Sequence, residues 1–226
     1  MKKAGLIILS IYGCLFMSGC VILDIGQILT TPTYGEQKIP AQYDLKANSK
    51  DGILIYVEPS VGSGVTVASQ AEVANIIKAY MMMKAKIKGK YINPQTKVSL
   101  SGIENGEYEG LSPVQIGKKL SVGRVLHVRI ENYGLYQMGG RGYYNGSMAT
   151  RSMIYDIESG NVVWPADSNS RVIRTKVELE LGGSKATSDR LVRAMGYCVV
   201  RNFYDCIRNQ YRIKDEYEDY NEDKYW

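Results

Sequence analysis

The sequence predicts an α/β (α+β) sandwich, in which a mixed sheet with an antiparallel meander is packed by two or three helices. Residues 53–57 form a compact apolar run that is typical of a buried central strand. Two longer segments, beginning near Ser69 and Ser188, carry apolar residues at helical spacing. Between them, residues 124–181 contain strand-like runs separated by turn residues. The expected order is β-α-β-α-β-β-β-α, a mixture in which helices pack on one sheet.

The first strand and the first helix follow from a change of hydrophobic period. The run at 53–57 lacks polar alternation and ends before Pro59, as a central strand does. Further along, apolar residues recur at helical spacing at Val73, Ile76, Ile77, Tyr80, Met83 and Ile87. Ser69 and Glu72 form a capping-box pattern, and Gly89 is a stop signal. We therefore expect a helix over 70–88.

The next elements are shorter and are marked by cap and turn residues. Residues 97–100 predict a short strand. Ser112 and Pro113 predict the start of a second helix, with serine at the cap and proline in the first turn. After Gly123, apolar and polar residues alternate over 124–131, which indicates a half-buried strand.

The meander follows from turn residues and alternation. Glycines at 139–142 indicate a hairpin connection, with a return strand over about 143–157. A tight turn at 158–161 precedes the apolar run 162–164, and residues 171–181 show clean alternation.

The last helix is expected to run from near Ser188 to near Tyr211. Its apolar stripe consists of Leu191, Met195, Cys198, Val199, Phe203, Cys206 and Ile207. On one helix, Cys198 and Cys206 would be about 12 Å apart along the axis. A disulfide requires Cα atoms within about 7 Å, so two reduced, buried thiols are expected. An intermolecular disulfide is the alternative.

The N-terminus has the residue pattern of an export signal peptide. Lys2 and Lys3 precede a largely apolar stretch, residues 4–17, that is too short to span a bilayer comfortably and fits a cleaved signal. Small residues at 18–19 then lead into Cys20. This ending resembles the lipobox of bacterial lipoproteins. The resemblance implies that Cys20 is lipidated, for example with palmitate, and begins the mature chain. An ordinary signal peptide that contains cysteines is the alternative.

Four segments follow from these patterns. They are a lipoprotein signal peptide (1–19), a lipidated N-terminus and tether (20–50), an α/β domain (51–211) and an acidic, tyrosine-rich tail (212–226). A tether behind a lipid lets the domain stand away from the bilayer.

Charge is unevenly distributed along the chain. The net charge is +5 at pH 7, and removing Lys2 and Lys3 leaves +3. Residues 213–226 carry six acids and two lysines, a net charge of −4, so residues 20–212 carry +7. A basic body favours anionic headgroups, anionic glycans or the acidic tail itself. An exported lipoprotein rarely meets nucleic acid, so nucleic acid is not an expected partner.

Two motifs resemble a known group of proteins. Residues 118–130 form a helix-Gly-strand unit, and an Asp-x-x-Ser-Gly motif precedes a Val-Trp strand. The matching residues of the second motif are Asp156, Ser159, Gly160, Val163 and Trp164. This order resembles the periplasmic domain of envelope lipoproteins related to the curli-secretion lipoprotein, the Pel exopolysaccharide lipoprotein and the lipoprotein activators of penicillin-binding proteins. The resemblance implies a non-enzymatic domain, often self-associating, that scaffolds or activates a larger machine.

The expected function is therefore that of a lipid-anchored periplasmic scaffold in secretion, polysaccharide export or wall assembly. Val21 after Cys20 is similar to the pattern of outer-membrane sorting, so the periplasmic side of the outer membrane is the expected location. Expected partners are the membrane, through the lipid, and the chain itself or other envelope proteins. A glycan- or small-ligand-binding lipoprotein is the first alternative, and an envelope hydrolase is the second.

Candidate binding residues lie in the hairpin connection and the tail. Arg141, Tyr143 and Tyr144 form a tip that can contact partner proteins or a polysaccharide, although hairpin geometry alone also explains the adjacent glycines. Trp226 can act as an anchor if the tail docks on a basic patch.

No residue pattern indicates a reaction, a metal or a cofactor. His127 is the only histidine, lies on the polar phase of its strand and accompanies no Gly-x-Ser-x-Gly motif, so a surface or interface role is expected. Glu104, Glu107 and Glu109 lie in a glycine-rich loop that fixes no acid-base separation. Residues 81–83, three methionines, predict packing and not a metal site.

Overall fold

A six-stranded mixed sheet and three α-helices form most of the part of the chain that the computed structural model describes, residues 36–94, 108, 110–139 and 142–209. The predicted α/β class, with helices packed against a mixed sheet, is confirmed. Two compact units are distinguished. Of the described residues, 36–37 and 207–209 belong to one unit, and the remainder belong to the other.

The elements are bounded as follows. The strands are β1 (Glu36–Ile39), β2 (Ile53–Pro59), β3 (Ile92–Pro94), β4 (Arg124–Gln137), β5 (Tyr143–Asp156), β6 (Val162–Trp164), β7 (Arg171–Leu181) and β8 (Cys206–Asn209). The helices are α1 (Val67–Met83), α2 (Pro113–Lys119) and α3 (Gly183–Val200), with 3-10 turns at Gly89–Tyr91 and Arg201–Phe203. None of the helices in the described ranges is long and apolar enough to cross a membrane.

The sheet combines a parallel and an antiparallel part. Strands β3, β2 and β4 run parallel, and parallel neighbours require crossovers, here through α1 and α2. β4 and β5 form a long antiparallel hairpin with a bulge between Ile130 and Asn132. Beyond β4, β5 pairs along one part with β6 and along the rest with β7. A separate two-stranded sheet pairs β1 with β8.

One face of the sheet is covered by α1 and α3, and we call it the helix-covered face. Alternate residues of β2, β4 and β5 are fully buried there in one large apolar cluster. Gly196 of α3 allows close packing of the two helices, because a Cβ at this position would lie 2.5 Å from Cγ2 of Ile76 on α1. The helices therefore form a single layer over the sheet.

The opposite face, which we call the outer face, is covered at one end by α2. A smaller apolar cluster joins Ile116 of α2 to Leu54, Val125 and Ile157. Gly117 lets α2 lie directly on this cluster, since a Cβ there would be 2.6 Å from Cδ1 of Ile157. The predicted serine cap of this helix is confirmed as a capping box between Ser112 and Gln115.

The prediction for the first helix was wrong at both ends. The helix begins at Val67, because Thr66 is its N-cap and accepts a hydrogen bond from the backbone N–H of Ser69 at 3.1 Å. It ends at Met83 instead of residue 88. The predicted strand at 97–100 lies outside the described residues, and a short strand is present at Ile92–Pro94.

The prediction for the last helix was also wrong in its bounds. α3 spans Gly183–Val200, and its end is capped by Asn202, whose Nδ2 donates to the carbonyls of Cys198 and Val199 at 3.0 Å each. Cys206 begins β8, so the two cysteines do not share a helix. Both side chains are buried, as expected, and neither cysteine forms a disulfide with another described residue.

Candidate partner-binding surface

The outer face carries the most distinctive polar residues of the described chain. It begins beside α2 with a buried histidine, continues as a band of charged side chains across β4, β5 and β7, and ends at the tip of the β4–β5 hairpin.

His127 is buried in a cluster on β2, β4 and β5. Tyr56 lies opposite His127 in the β2–β4 register, and its ring stacks on the imidazole with centroids 5.7 Å apart. Tyr155 lies on the other side at 6.2 Å. A surface position, one of the two expected for His127, is therefore wrong, because two aromatic neighbours from other strands cover its side chain to 7% exposure.

Glu58 is the one carboxylate in contact with His127 among the described residues. Nε2 of His127 lies 3.1 Å from Oε1 of Glu58, although it is not aligned as a good hydrogen bond. Nδ1 has no hydrogen-bond partner in the described part of the chain. Contact with His127 lowers the pKa of Glu58 despite the opposing effect of burial, while burial raises the pKa of Tyr56 and Tyr155. The pair orders this part of the face, and no hydroxyl or thiol of the described residues is hydrogen-bonded to the imidazole.

A band of cations follows on the outer face. Arg129 and Arg151 lie directly opposite each other on β4 and β5, an arrangement that like charges disfavour. Glu131 contacts both, at 3.7 Å from Nε of Arg129 and 3.5 Å from Nε of Arg151. Arg174 on β7 lies diagonally across from Arg151 on the same face. We call Arg129, Arg151, Arg174 and Lys176 the basic band.

The hairpin tip exposes large apolar side chains. Tyr136 is 57% exposed, and Met138 and Tyr143 are each 42% exposed. The tip is closed by a hydrogen bond from the backbone N–H of Met138 to the carbonyl of Tyr143 at 3.0 Å. Gly142 has φ +90°, a conformation that favours glycine. Three neighbouring exposed side chains of this kind are typical of a contact surface.

Only some of the binding residues predicted from the sequence lie in the described part of the chain. Tyr143 lies exposed at the tip, and Tyr144 next to it is half-buried. Arg141, Cys20 and Trp226 lie outside the described residues. The sequence did not predict the exposure of Tyr136 and Met138. The bulge in β4 reverses which residues of the strand face outward, and no residue pattern predicted this bulge.

The hairpin below the tip is held firmly against α3. After the bulge, Tyr133 points to the helix-covered side, and its hydroxyl donates to Oγ of Ser188 at 2.7 Å. Leu135 packs on the main apolar cluster. A Cβ on Gly146 would lie 3.1 Å from Thr187, so β5 and α3 are in close contact.

The Asp-x-x-Ser-Gly motif forms a structural turn. Oδ1 of Asp156 accepts hydrogen bonds from the backbone N–H and the hydroxyl of Ser159, at 2.8 and 3.0 Å. Oδ2 lies 2.6 Å from Nη1 of Arg124. The backbone hydrogen bond from Ser159 chiefly lowers the pKa of Asp156, with further lowering by Arg124. The motif therefore fixes the β5–β6 connection.

Within the described ranges, the remaining candidate catalytic or metal-binding residues do not form a site. The described ranges contain no group of three or more histidine, cysteine or acidic residues placed to hold a metal ion. Glu104, Glu107 and Glu109 lie outside those ranges. Met81 is buried, whereas Met82 and Met83 are exposed.

Comparisons with known proteins reveal distant similarity in structure alone. No protein-family model matches the chain, and no curated protein matches it in sequence. Similar solved structures include a lipoprotein from Neisseria meningitidis, at 16% identity and a TM-score of 0.42, covering 66% of this chain and 98% of that one. They also include a PelC dodecamer from Paraburkholderia phytofirmans, at 10% identity and a TM-score of 0.41, covering 75% and 96%.

A hypothetical protein from Chlamydia trachomatis is also similar, at 12% identity and a TM-score of 0.36, covering 68% of this chain and 91% of that one. At such identities and TM-scores, these similarities assign neither a family nor a function to this chain.

Proposed function

We propose that this chain is a lipid-anchored assembly protein of the bacterial cell envelope, which binds a protein partner through the tip of its β4–β5 hairpin. Cys20 fixes the chain to a membrane, with outer-membrane sorting favoured by Val21. The domain then acts without chemistry of its own, as a scaffold in secretion, polysaccharide export or wall assembly.

The exposed hairpin tip is the observation that carries this proposal. Tyr136, Met138 and Tyr143 expose much of their apolar surface. Other apolar residues of the same two strands are buried, among them Leu126, Val128, Ile130, Met148 and Ile154. Aromatic residues and methionine are enriched in protein interfaces. Burying three such side chains against a partner would stabilise a complex by removing their apolar surface from water.

Rigidity of the hairpin also supports a binding role. Strands β4 and β5 pair over their length, and Tyr133 and Leu135 fix them to the helix-covered side. A preorganised surface loses little conformational entropy when it binds. The tip is therefore suited to present its side chains in one arrangement.

The buried histidine cluster agrees with a non-enzymatic role. His127 contacts Glu58 and two tyrosine rings, and neither imidazole nitrogen has a hydrogen bond to a hydroxyl or thiol of the described residues. General-base activation of a nucleophile requires such a group within hydrogen-bond reach.

Anchor and tip variants test the proposal in cells that depend on the protein. Cys20→Ala should leave the purified domain folded but release the exported protein from the membrane and abolish envelope function. A triple variant, Tyr136→Ser, Met138→Ser and Tyr143→Ser, should stay anchored and folded yet also lose function. As a matched control, serine at the exposed polar residues Asn48, Glu158 and Asp167 should retain function.

A photo-crosslinking amino acid at position 143 identifies the partner class. A specific adduct with one envelope protein, or with a second copy of this chain, supports the assembly role, provided that position 158 gives none. Full function of the triple serine variant contradicts the proposal. Polysaccharide binding that depends on Tyr143, without any protein adduct, favours the glycan-binding alternative instead.

A further inference from the structure

The last part of β4 has a backbone edge that faces away from β5. β2 pairs with β4 only as far as Ile130, whereas β5 pairs with β4 to the end of the strand. The backbone N–H of Tyr133 points away from β5, because it donates to the carbonyl of Ser63 at 2.8 Å. The backbone N–H of Met138 points the other way, because it donates to the first residue of β5 at 3.0 Å.

Alternation along the strand fixes the direction of the residues in between. The backbone groups of successive residues point to opposite sides, so those of Leu135 and Gln137 point away from β5, as the N–H of Tyr133 does. Among the described residues, none is hydrogen-bonded to the backbone N–H or C=O of Leu135 or Gln137 on this side. We call these four backbone groups the open edge. An edge of this kind can pair with one further strand.

The open edge lacks the features that keep sheet edges from pairing. Residues 132–138 contain no charged residue and no proline. By contrast, β7 on the far side of β5 carries Arg174 and Lys176, and charged side chains are a common protection of an edge. Gln137 and both of its neighbours in sequence are exposed. An uncharged, exposed edge therefore lies beside the apolar side chains of the hairpin tip.

The open edge is complementary to a second copy of itself. Antiparallel pairing about a two-fold axis at Tyr136 joins Leu135 to Gln137 of the second copy, and it satisfies all four backbone groups of each chain. The same register brings Gly134 opposite Met138 of the second copy. The Tyr136 ring lies over Gly134, where a Cβ would be 2.7 Å from Cζ of the ring. The thioether would therefore meet the edge of an aromatic ring, which is a favourable contact.

We propose that two copies of this chain associate through the open edge, which joins their β4–β5 hairpins into one four-stranded antiparallel sheet. The inference rests on the proposed function, because it names the protein partner of the hairpin tip as a second copy of the chain. Tyr136 and Met138 of both copies then lie together on one face of the joined sheet. The assembly unit in the envelope is a dimer that carries two lipid anchors.

Disulfide trapping in the full-length, membrane-anchored protein tests the strand pairing. At the two-fold axis, the Cα atoms of the two residues at position 136 would be about 4.5 Å apart, a separation that suits a disulfide. Tyr136→Cys should therefore give a disulfide-linked dimer on mild oxidation. Tyr143→Cys is the matched control, because it lies at the same tip but on β5, about 14 Å or more from its counterpart. It should give no more dimer than the unaltered chain, which supplies the background from the native cysteines.

Removal of one backbone donor tests the hydrogen bonds while keeping Tyr136. Gln137→Pro deletes an N–H that points away from β5, so the hydrogen bonds between β4 and β5 are retained. The dimer dissociation constant of the full chain in detergent should rise by about tenfold or more, because each copy loses one hydrogen bond. Gln137→Ala keeps the N–H and should leave the constant nearly unchanged. Analytical ultracentrifugation measures the constants, and circular dichroism checks that both variants are folded.

Two results would overturn the inference. They are a dimer yield from Tyr136→Cys that is no greater than the yield from Tyr143→Cys, and equal dissociation constants for Gln137→Pro and Gln137→Ala. If Gln137→Pro does not fold, the two cysteine variants still decide. A photo-adduct of position 143 with a different envelope protein, without a Tyr136→Cys dimer, overturns the self-pairing and leaves the proposed function in place. A Tyr136→Cys dimer together with full function of the triple serine variant supports the self-pairing and contradicts the proposed function.

Discussion

The two faces of the central sheet are built from neighbouring residues and have different compositions. In β5, Ile154 is fully buried under α1 and α3, whereas Met153 beside it faces outward and is half-buried. The helix-covered face is a continuous apolar cluster. Beyond the small cluster under α2, the outer face consists of paired charges, stacked rings and long arginine side chains.

This difference separates stability from recognition within one sheet. Close packing makes the helix-covered face intolerant of changes in volume. The ion pairs of Arg129 and Arg151 on the outer face are exposed to water and are individually worth little. Substitutions on the helix-covered face should therefore change mainly the free energy of unfolding, whereas substitutions on the outer face should change mainly binding.

The largest contrast should come from adjacent residues of β5. Ile154→Ala should lower the free energy of unfolding by about 2–5 kcal/mol, because it removes buried carbons and leaves a cavity. Met153→Ala should lower it by about 1 kcal/mol or less, as expected of a substitution outside the core. Urea denaturation of both variants measures the difference. Equal losses would mean that the two faces are packed alike.

A smaller effect is expected where α1 and α3 meet. Gly196→Ala should lower the free energy of unfolding by about 1–2 kcal/mol, since the clash with Ile76 exceeds the gain in helix propensity. Adding Ile76→Ala should recover part of this loss, because it removes the atom in contact. A double-mutant cycle measures the coupling, and strict additivity would show that the helices adjust without strain.

Substitution of Asp156, in the turn at the edge of the outer face, should lower the free energy of unfolding by an amount that depends on pH. Its lowered pKa means that the folded state favours the carboxylate, so this stability is present above about pH 4 and is lost as the pH falls further. Asp156→Asn should cost about 1 kcal/mol at pH 7 and progressively less on acidification. Asp167→Asn is the control. A difference independent of pH would rule out the carboxylate as the cause.

The smallest change in stability is expected at the hairpin tip. Tyr143→Ser should alter the free energy of unfolding by less than about 0.5 kcal/mol, because the side chain is exposed. Tyr133→Phe, on the opposite side of the same hairpin, should cost about 1 kcal/mol by deleting the hydrogen bond to Ser188. Thermal unfolding compares the two. A larger loss at Tyr143 would place the tip in the core.

Local sequence patterns were sufficient for much of the fold. The apolar run at 53–57, the cap at Ser112 and the alternation over 171–181 depend on neighbours in sequence, and the corresponding elements are present. Patterns failed where a distant or competing contact decides the outcome. Asn202 ends α3 early by capping its carbonyls, and β7 pairs with β5 beside β6.

The candidate surface was predictable in position but not in composition. Turn glycines placed a hairpin tip near Tyr143, and the structure has it there. The outward direction of Tyr136 depends on a bulge, and the burial of His127 depends on rings from β2 and β5. Neither feature can be recognised from the residues next to it in the sequence.

The pairing of β1 with β8 has a consequence for the order in which the chain is completed. Residues Glu36–Ile39 are synthesised early and residues Cys206–Asn209 near the end. β1 therefore cannot pair with β8 until nearly the whole polypeptide has been synthesised. Closing so long an interval is slow compared with forming a hairpin such as β4–β5. Until then, β1 has an open edge, and a chain stalled during synthesis or translocation would expose it to other strands.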